Sequence, residues 1–169
     1  MDSDVFFNVA INEPDEETAK RYYRAAVFSG FTAVESFINI VAEAFRIAGT
    51  LEQFELAFLN DKKYELKKGV FSISEKAEYH RIDDKLRFLF AKFVKKFDFE
   101  NESDWSRFFE FKNFRDSIMH PRTDSDEISP KEYKRRIKLG MVSCIGLLNR
   151  LSKGIFKKPI RKRLLELFQ

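Results

Sequence analysis

Glycine, proline, histidine and cysteine are scarce in this sequence. Its 169 residues include six Gly, four Pro, two His and one Cys. Gly stands at about half its usual frequency, which argues against β-sandwiches with many tight turns and against the glycine-rich loops that bind dinucleotides or phosphates. A single Cys excludes an intramolecular disulfide, and no spacing of Cys and His suits a zinc ion. Long helices with few sharp turns fit this composition, so the sequence predicts an all-α fold with no metal and no cofactor.

Long apolar runs and export signals are missing as well. The sequence contains no uninterrupted apolar run of about 20 residues, the length that spans a membrane. Asp2 and Asp4 stand where a signal peptide would be basic. Lys and Arg total 31 against 27 Asp and Glu, and the net charge of +4 permits an RNA partner without requiring one. We therefore expect a cytoplasmic protein that has no membrane partner.

Apolar residues recur at three- and four-residue steps through most of the chain, a spacing typical of amphipathic helices. Signals for a helix start accompany this spacing at Pro14, at Ser72 with Glu75, and at Ser129. The predicted helices cover residues 15–49, 51–59, 72–97, 105–119, 130–154 and 159–168. The polar residues 61–69 are predicted to form a loop.

These helices predict one domain over residues 1–169, built as a bundle of about five to six helices. Its core is expected over about residues 15–155, followed by a basic C-terminal helix over about 159–168. Gly30 is the one interruption of the first helix and marks the place where that helix would bend.

The two histidines limit the search for a general base. His80 has no motif around it and is interpreted as an ordinary, partly exposed residue within a helix. His120 follows Arg115 by five positions at the end of a Phe-rich helix, and Pro121 pushes its backbone out of the α region. Five residues correspond to about 7.5 Å along an intact helix and about 140° around it, so the pair does not lie side by side. A second copy of the chain across a two-fold axis would bring such groups together.

An imidazole with a guanidinium suits cleavage of RNA without a metal ion. A neutral imidazole accepts the proton of a 2′-hydroxyl, and a guanidinium stabilises the charge that develops on the attacked phosphate. The products are a 2′,3′-cyclic phosphate and a free 5′-hydroxyl. DNA has no 2′-hydroxyl and would not be cleaved.

The segment from Arg115 to His120, with Asp116 after the arginine and Pro121 after the histidine in an all-α chain, resembles the HEPN superfamily. Ribonucleases of that superfamily carry Arg, a polar residue, three others and His at a helix end. The helix that contains residues 33–39 looks like the upstream helix of many members, so the likeness covers approximately residues 15–155.

The resemblance implies a metal-independent endoribonuclease whose site is shared by two protomers of a homodimer. It assigns Arg115, Asp116 and His120 to the catalytic motif, and Glu35 and Asn39 to the orientation of the arginine. Such enzymes often serve as toxins or phage-defence effectors, so the resemblance also implies an antitoxin protein as a partner. Some HEPN toxins carry, two positions after the histidine, a Tyr that an antitoxin modifies, and this chain has Arg122 there instead.

Basic residues near the motif and near the C-terminus predict the surface that guides RNA. The candidates for contact with phosphates are Arg122, Lys157, Lys158 and Arg161. A charge run of this kind is also typical of a solvated helix face.

Two other interpretations remain open. The chain is a HEPN-like dimeric binding or scaffold module without cleavage, or it is an unrelated helical adaptor in which Arg115 and His120 only cap a helix end. Glu35 belongs to a polar stripe that is typical of a solvated face. Cys144 lies among apolar residues and is expected to be part of the core rather than a nucleophile.

Overall fold

The fold is mainly helical, as the sequence predicts. The computed structural model describes residues 2–120 and 128–168. Within these ranges the chain forms seven helices and one antiparallel β-hairpin. In chain order the elements are α1 (Asp2–Asn12), α2 (Glu16–Ala48), α3 (Gln53–Leu59), β1 (Lys62–Lys67), β2 (Val70–Ala77), α4 (Ile82–Phe93), α5 (Ser103–Met119), α6 (Pro130–Phe156) and α7 (Lys162–Leu165).

The chain divides into two compact units. The first, here called the helical unit, comprises Met1–Val34 and Phe93–Gln169. The second, here called the hairpin unit, comprises Glu35–Lys92. The single domain over residues 1–169 stays a prediction.

Helices α5 and α6 form the centre of the helical unit as an antiparallel pair. The Phe111 ring packs against Gly140, where an added Cβ would lie 2.2 Å from the ring. Phe114 meets Tyr133 edge-on, with 5.3 Å between ring centroids. Phe108 and Phe111 also contact Phe31 on α2. Burial of these large rings stabilises the unit.

Local signals fix the end of α5 and the start of α6. His120 is the residue that ends α5, and its backbone N–H donates to the carbonyl oxygen of Asp116 at 3.0 Å. Ser129 precedes α6, and its hydroxyl accepts the backbone N–H of Glu132 at 3.3 Å, with Pro130 in the first turn. Both boundaries agree with the predictions from Pro121 and from Ser129.

The predictions for residues 61–77 are wrong. The expected loop and the start of the expected helix form the β1–β2 hairpin, which turns through Lys68 and Gly69 at φ of 51° and 80°. Two central residues with positive φ match the twist of paired strands. The Ser72 hydroxyl donates to the Glu65 carbonyl at 3.3 Å across the hairpin and caps no helix. The pairing of two strands thus overrides a short local capping pattern.

The hairpin is attached to α3 within the hairpin unit. The Tyr64 hydroxyl donates to the carbonyl oxygen of Phe54 at 3.1 Å, and the two rings meet edge-on at 5.8 Å. Helix α4 begins at Ile82, ten residues later than the Ser72 start that the sequence predicts. An isolated hairpin is marginal in water, so this packing contributes to its stability.

Other helix boundaries differ from prediction for identifiable reasons. Helix α2 runs through Gly30 without a break, and Gly30 lies against the Met141 side chain of α6, so the missing side chain allows close packing there. Helix α6 continues past Gly154, which faces the Phe93 carbonyl, and ends before Lys157 at φ of 58°. The C-terminal helix is one turn long, and α1 was not predicted.

Helix α2 is the one described helix long and apolar enough to cross a membrane by length and composition. Of its most apolar 18-residue window, 44% is buried inside the protein. A core helix of a soluble protein passes the same test, so this finding is compatible with a soluble protein.

Candidate functional site

His120 lies on the surface at the C-terminal end of α5. Its side chain is exposed, and its backbone has left the helical region at φ −126° and ψ 67°. Its backbone N–H still donates the helical hydrogen bond to the carbonyl oxygen of Asp116, and this bond fixes the position of its Cα. An exposed imidazole at a fixed helix end is accessible to a substrate, as a general base requires.

Arg115 is held by two contacts on the helical unit. Its Nε and Nη2 donate to the same Oδ1 of Asp116 at 3.0 and 2.7 Å. Its guanidinium carbon lies 4.6 Å from the centroid of the Phe31 ring, which is within the range of a cation–π contact. Lys112 adds a second cation 3.6 Å from Oδ2 of Asp116. Asp116 therefore orients Arg115 and also neutralises part of its charge.

Arg115 and His120 project from different sides of α5. Helix α5 is intact through Met119, so its geometry sets the two Cα positions about 140° apart around the axis. The Arg115 side chain lies over Phe31 and Asp116. Asp116 and Arg115 are in contact, whereas His120 belongs to another face of the helix.

The face of α5 that leads to His120 borders a groove between α5 and α6. Glu110, Asn113 and Ser117 line this groove, and His120 continues their spacing of three and four residues. The groove has a volume of about 390 Å³. From α5 the lining includes Arg107, Glu110, Phe111, Asn113, Phe114 and Ser117, and from α6 it includes Arg135, Arg136, Leu139 and Gly140.

The first turns of α6 are strongly basic. Residues 131–138 hold five cations, Lys131, Lys134, Arg135, Arg136 and Lys138, and one anion, Glu132. Arg135 binds the Glu132 carboxylate through two hydrogen bonds of 2.8 Å. Arg136 adds a third of 2.6 Å and lies 5.0 Å from the centroid of Phe114. The hydrogen bonds from Arg135 and Arg136 lower the pKa of Glu132 to about 2, so its carboxylate stays charged at any physiological pH.

This basic segment was missed by the sequence reasoning, which placed the RNA-guiding surface elsewhere. The density of five cations in eight residues was visible, but the position of Arg135 and Arg136 on the same groove as Ser117 depends on the packing of α6 on α5. Of the residues that were predicted, Lys157 and Lys158 are exposed just after α6, and Arg161 is exposed before α7. Arg122 lies outside the described residues.

Glu35 and Asn39 lie on α2 with exposed side chains. They belong to the hairpin unit, whereas Arg115 and Asp116 belong to the helical unit. The orientation of Arg115 that is visible comes from Asp116 and Phe31. A role for Glu35 and Asn39 stays a prediction.

His80 and Cys144 offer weaker candidates for chemistry. His80 precedes α4 instead of lying within a helix, and it packs against Phe58 with 4.7 Å between ring centroids. Its Nε2 is buried and has no hydrogen-bond partner among residues 2–120 and 128–168. Cys144 is 3% exposed, and burial raises the pKa of its thiol to about 12, so both its burial and its pKa argue against a role as a nucleophile. The described ranges contain no group of three or more His, Cys, Asp or Glu side chains placed to hold a metal ion.

Comparison with known proteins gives no match: no family model, no curated protein and no solved structure matches this chain.

Proposed function

We propose that this protein is a metal-independent endoribonuclease of the HEPN type, active as a homodimer in the cytoplasm. The observation that carries the proposal is the end of α5, where an exposed imidazole follows a guanidinium held by Asp116 and an aromatic ring. The exposed Arg135 and Arg136 of α6, which line the same groove as Ser117 of α5, supply attraction for a polyanion.

In this mechanism the neutral imidazole of His120 accepts the proton of a ribose 2′-hydroxyl. The 2′-oxygen attacks the adjacent phosphorus, and the bond from phosphorus to the 5′-oxygen breaks. The imidazolium of the same His120 then gives this proton to the departing 5′-oxygen, and a 2′,3′-cyclic phosphate remains. Arg115 stabilises the negative charge on the non-bridging oxygens during the attack. General-base catalysis contributes about a hundredfold to ten-thousandfold to the rate.

Two copies of the chain are part of this proposal for a geometric reason. Arg115 and His120 project from α5 about 140° apart, so one chain does not present both to one phosphate. A two-fold axis near the end of α5 would bring Arg115 of one copy toward His120 of the other. Such an enzyme would act as a toxin or phage-defence effector controlled by an antitoxin protein.

The test uses purified protein and a structured RNA in the presence of EDTA. Wild-type protein is expected to cleave the RNA and leave 2′,3′-cyclic phosphate ends, which mass spectrometry identifies. His120→Ala and Arg115→Ala are each expected to lower the rate at least about a hundredfold. Cleavage that persists at the wild-type rate in both variants comes from a contaminant and would overturn the proposal.

A second candidate is a non-catalytic, HEPN-like dimeric module that binds RNA or serves as a scaffold. One observation favours it: Asp116 accepts hydrogen bonds from Nε and Nη2 of Arg115 and cancels part of the charge that a phosphate would meet. The same experiment separates the candidates, because this module binds RNA without producing cyclic phosphate ends.

A further inference from the structure

The groove between α5 and α6 has the size and lining of a site for one nucleotide. Its volume of about 390 Å³ lies in the range of small-ligand sites. The buried rings of Phe111 and Phe114 form its floor, and Leu139, which is 41% exposed, adds an apolar wall. A base taken out of its stack needs an apolar surface of this kind.

The walls of the groove carry the charges that a phosphate backbone requires. Arg107 reaches it from α5, and Arg135 and Arg136 reach it from α6. Glu132 accepts hydrogen bonds from Nε and Nη2 of Arg135 but from Nε alone of Arg136. A guanidinium has five donors, so each arginine keeps donors beyond those that Glu132 uses. Arg136 also presents a planar group against which a base stacks.

The groove extends along α5 to Ser117, toward the helix end that bears His120. Ser117 precedes His120 by three residues and Asn113 precedes it by seven, and both line the groove. These steps correspond to about 4.5 Å and 10.5 Å along the helix axis. A nucleotide bound in the groove therefore lies within one or two helical turns of the imidazole.

We propose, on the basis of the ribonuclease function above, that the α5–α6 groove binds one unstacked nucleotide of single-stranded RNA next to the cleaved phosphate. Arg107, Arg135 and Arg136 hold its phosphates, and Leu139 with Arg136 contacts its base. Double-stranded RNA does not fit, because its bases remain stacked within the helix.

Binding is measured separately from cleavage. The 169-residue His120→Ala protein, which leaves RNA intact, is titrated into a fluorescein-labelled RNA of eight nucleotides, and anisotropy is recorded at several salt concentrations. Arg107→Gln, Arg135→Gln and Arg136→Gln are each expected to weaken binding about fivefold at 0.1 M salt, because one phosphate contact on a single strand corresponds to a salt slope of about 0.7. The magnitude of the slope of log K against log salt is expected to fall by the same 0.7.

The duplex form of the RNA is expected to bind at least about fivefold more weakly than the single strand.

The chain offers a matched control for these variants. Arg46 binds Glu43 through Nε and Nη2 at 2.8 and 2.7 Å, the same pairing that joins Arg135 to Glu132, but it lies in the hairpin unit. Arg46→Gln is expected to change RNA affinity less than twofold. Glu132→Gln frees two guanidinium groups at the groove and is expected to raise the affinity about fivefold, whereas Glu43→Gln is expected to leave it unchanged.

Several results would overturn the groove proposal. Affinities of the three groove variants within twofold of the parent, or an equal loss in Arg46→Gln, show that the groove is not the site. A duplex that binds as tightly as the single strand excludes an unstacked nucleotide. Melting curves by circular dichroism verify that each variant is folded, and Arg135→Lys, which keeps the charge, is expected to retain the salt slope.

The two proposals fail in different ways. Normal binding by the groove variants, together with cleavage that depends on His120, rejects the groove and leaves the ribonuclease. Loss of binding in the groove variants, together with no cleavage by the wild type, supports the groove and rejects the ribonuclease.

Discussion

Asp116 has two opposite effects on Arg115. Its carboxylate holds the guanidinium in one orientation through contacts of 3.0 and 2.7 Å, and it also cancels part of the positive charge that a phosphate would meet. The side chain of Asp116 is 42% exposed and that of Arg115 is 19% exposed, so both groups are near solvent and the ion pair is partly screened. Orientation and charge can be separated by substitution.

Asp116→Asn is expected to preserve or increase RNA cleavage, whereas Asp116→Ala is expected to decrease it. The Asn carbonyl still accepts a hydrogen bond from Arg115. The substitution also removes the carboxylate charge that competes with a phosphate for Arg115, so we expect a rate about threefold above wild type. Ala removes the acceptor, and a misplaced catalytic group costs about a hundredfold. Initial rates on one labelled RNA measure both effects. A lower rate in Asp116→Asn than in Asp116→Ala would contradict this account.

The ion pairs of Glu132 with Arg135 and Arg136 make a pH-dependent contribution to the stability of the folded protein. Its pKa is held at about 2 by hydrogen bonds from Arg135 and Arg136, below the ordinary value of 4.5. A carboxyl group whose pKa is lowered on folding stabilises the native state above its unfolded pKa. This contribution is lost as the pH falls through about 4.5 toward about 2.

Glu132→Gln is therefore expected to lower the Tm by about 1–3 °C at pH 7, since Glu132 also lies in the first turn of α6. The difference from wild type is expected to shrink between pH 4.5 and pH 2, where the carboxyl group takes up its proton. Thermal denaturation at several pH values measures this. A constant difference at every pH would mean that the charge of Glu132 has no role in stability.

At the scale of secondary-structure elements, the close approach of α5 and α6 depends on Gly140. An added Cβ would lie 2.2 Å from Cγ of Phe111, whose ring is itself buried. At Gly30 the nearest atom would be Sδ of Met141 at 2.5 Å, and a Met side chain adjusts more easily than a ring.

Gly140→Ala is expected to destabilise the protein by about 1–3 kcal/mol through this overpacking, in spite of the better helix propensity of Ala. Gly30→Ala serves as the matched control and is expected to cost less than about 1 kcal/mol. Urea denaturation with equal m-values in all three proteins gives the free energies of unfolding. Equal stability of Gly140→Ala and wild type would show that the two helices separate at little cost.

The elements also differ in how far the sequence could predict them. Helices α5 and α6 were predicted because periodic apolar residues, a Ser cap and two prolines agree there. The hairpin was missed because strand pairing is not local and a capping pattern competed with it. His120 at the end of α5 followed from Pro121, but the groove beside it required the packing of one helix on another, which single-sequence periodicity does not give.

For the whole molecule, the proposed site depends on two chains. Within one chain Arg115 lies over Phe31, while His120 continues the face of α5 that lines the α5–α6 groove. A symmetric dimer would contain two equivalent sites, each with Arg115 from one chain and His120 from the other. An enzyme of this kind loses both sites when either residue is substituted in both chains, but it keeps one site in a mixed dimer.

Mixing the Arg115→Ala and His120→Ala proteins is therefore expected to restore cleavage. The His120→Ala chain supplies Arg115, the Arg115→Ala chain supplies His120, and exchange of subunits places them in one of the two sites of each mixed dimer. About half of the dimers in an equal mixture are mixed and each has one working site, so we expect about a quarter of the wild-type rate. The mixture is incubated until subunit exchange is complete, and light scattering verifies that it is dimeric. If a dimeric mixture stays as inactive as its components, the two residues do not act on one phosphate from different chains, and the geometry of α5 would leave no shared site for them.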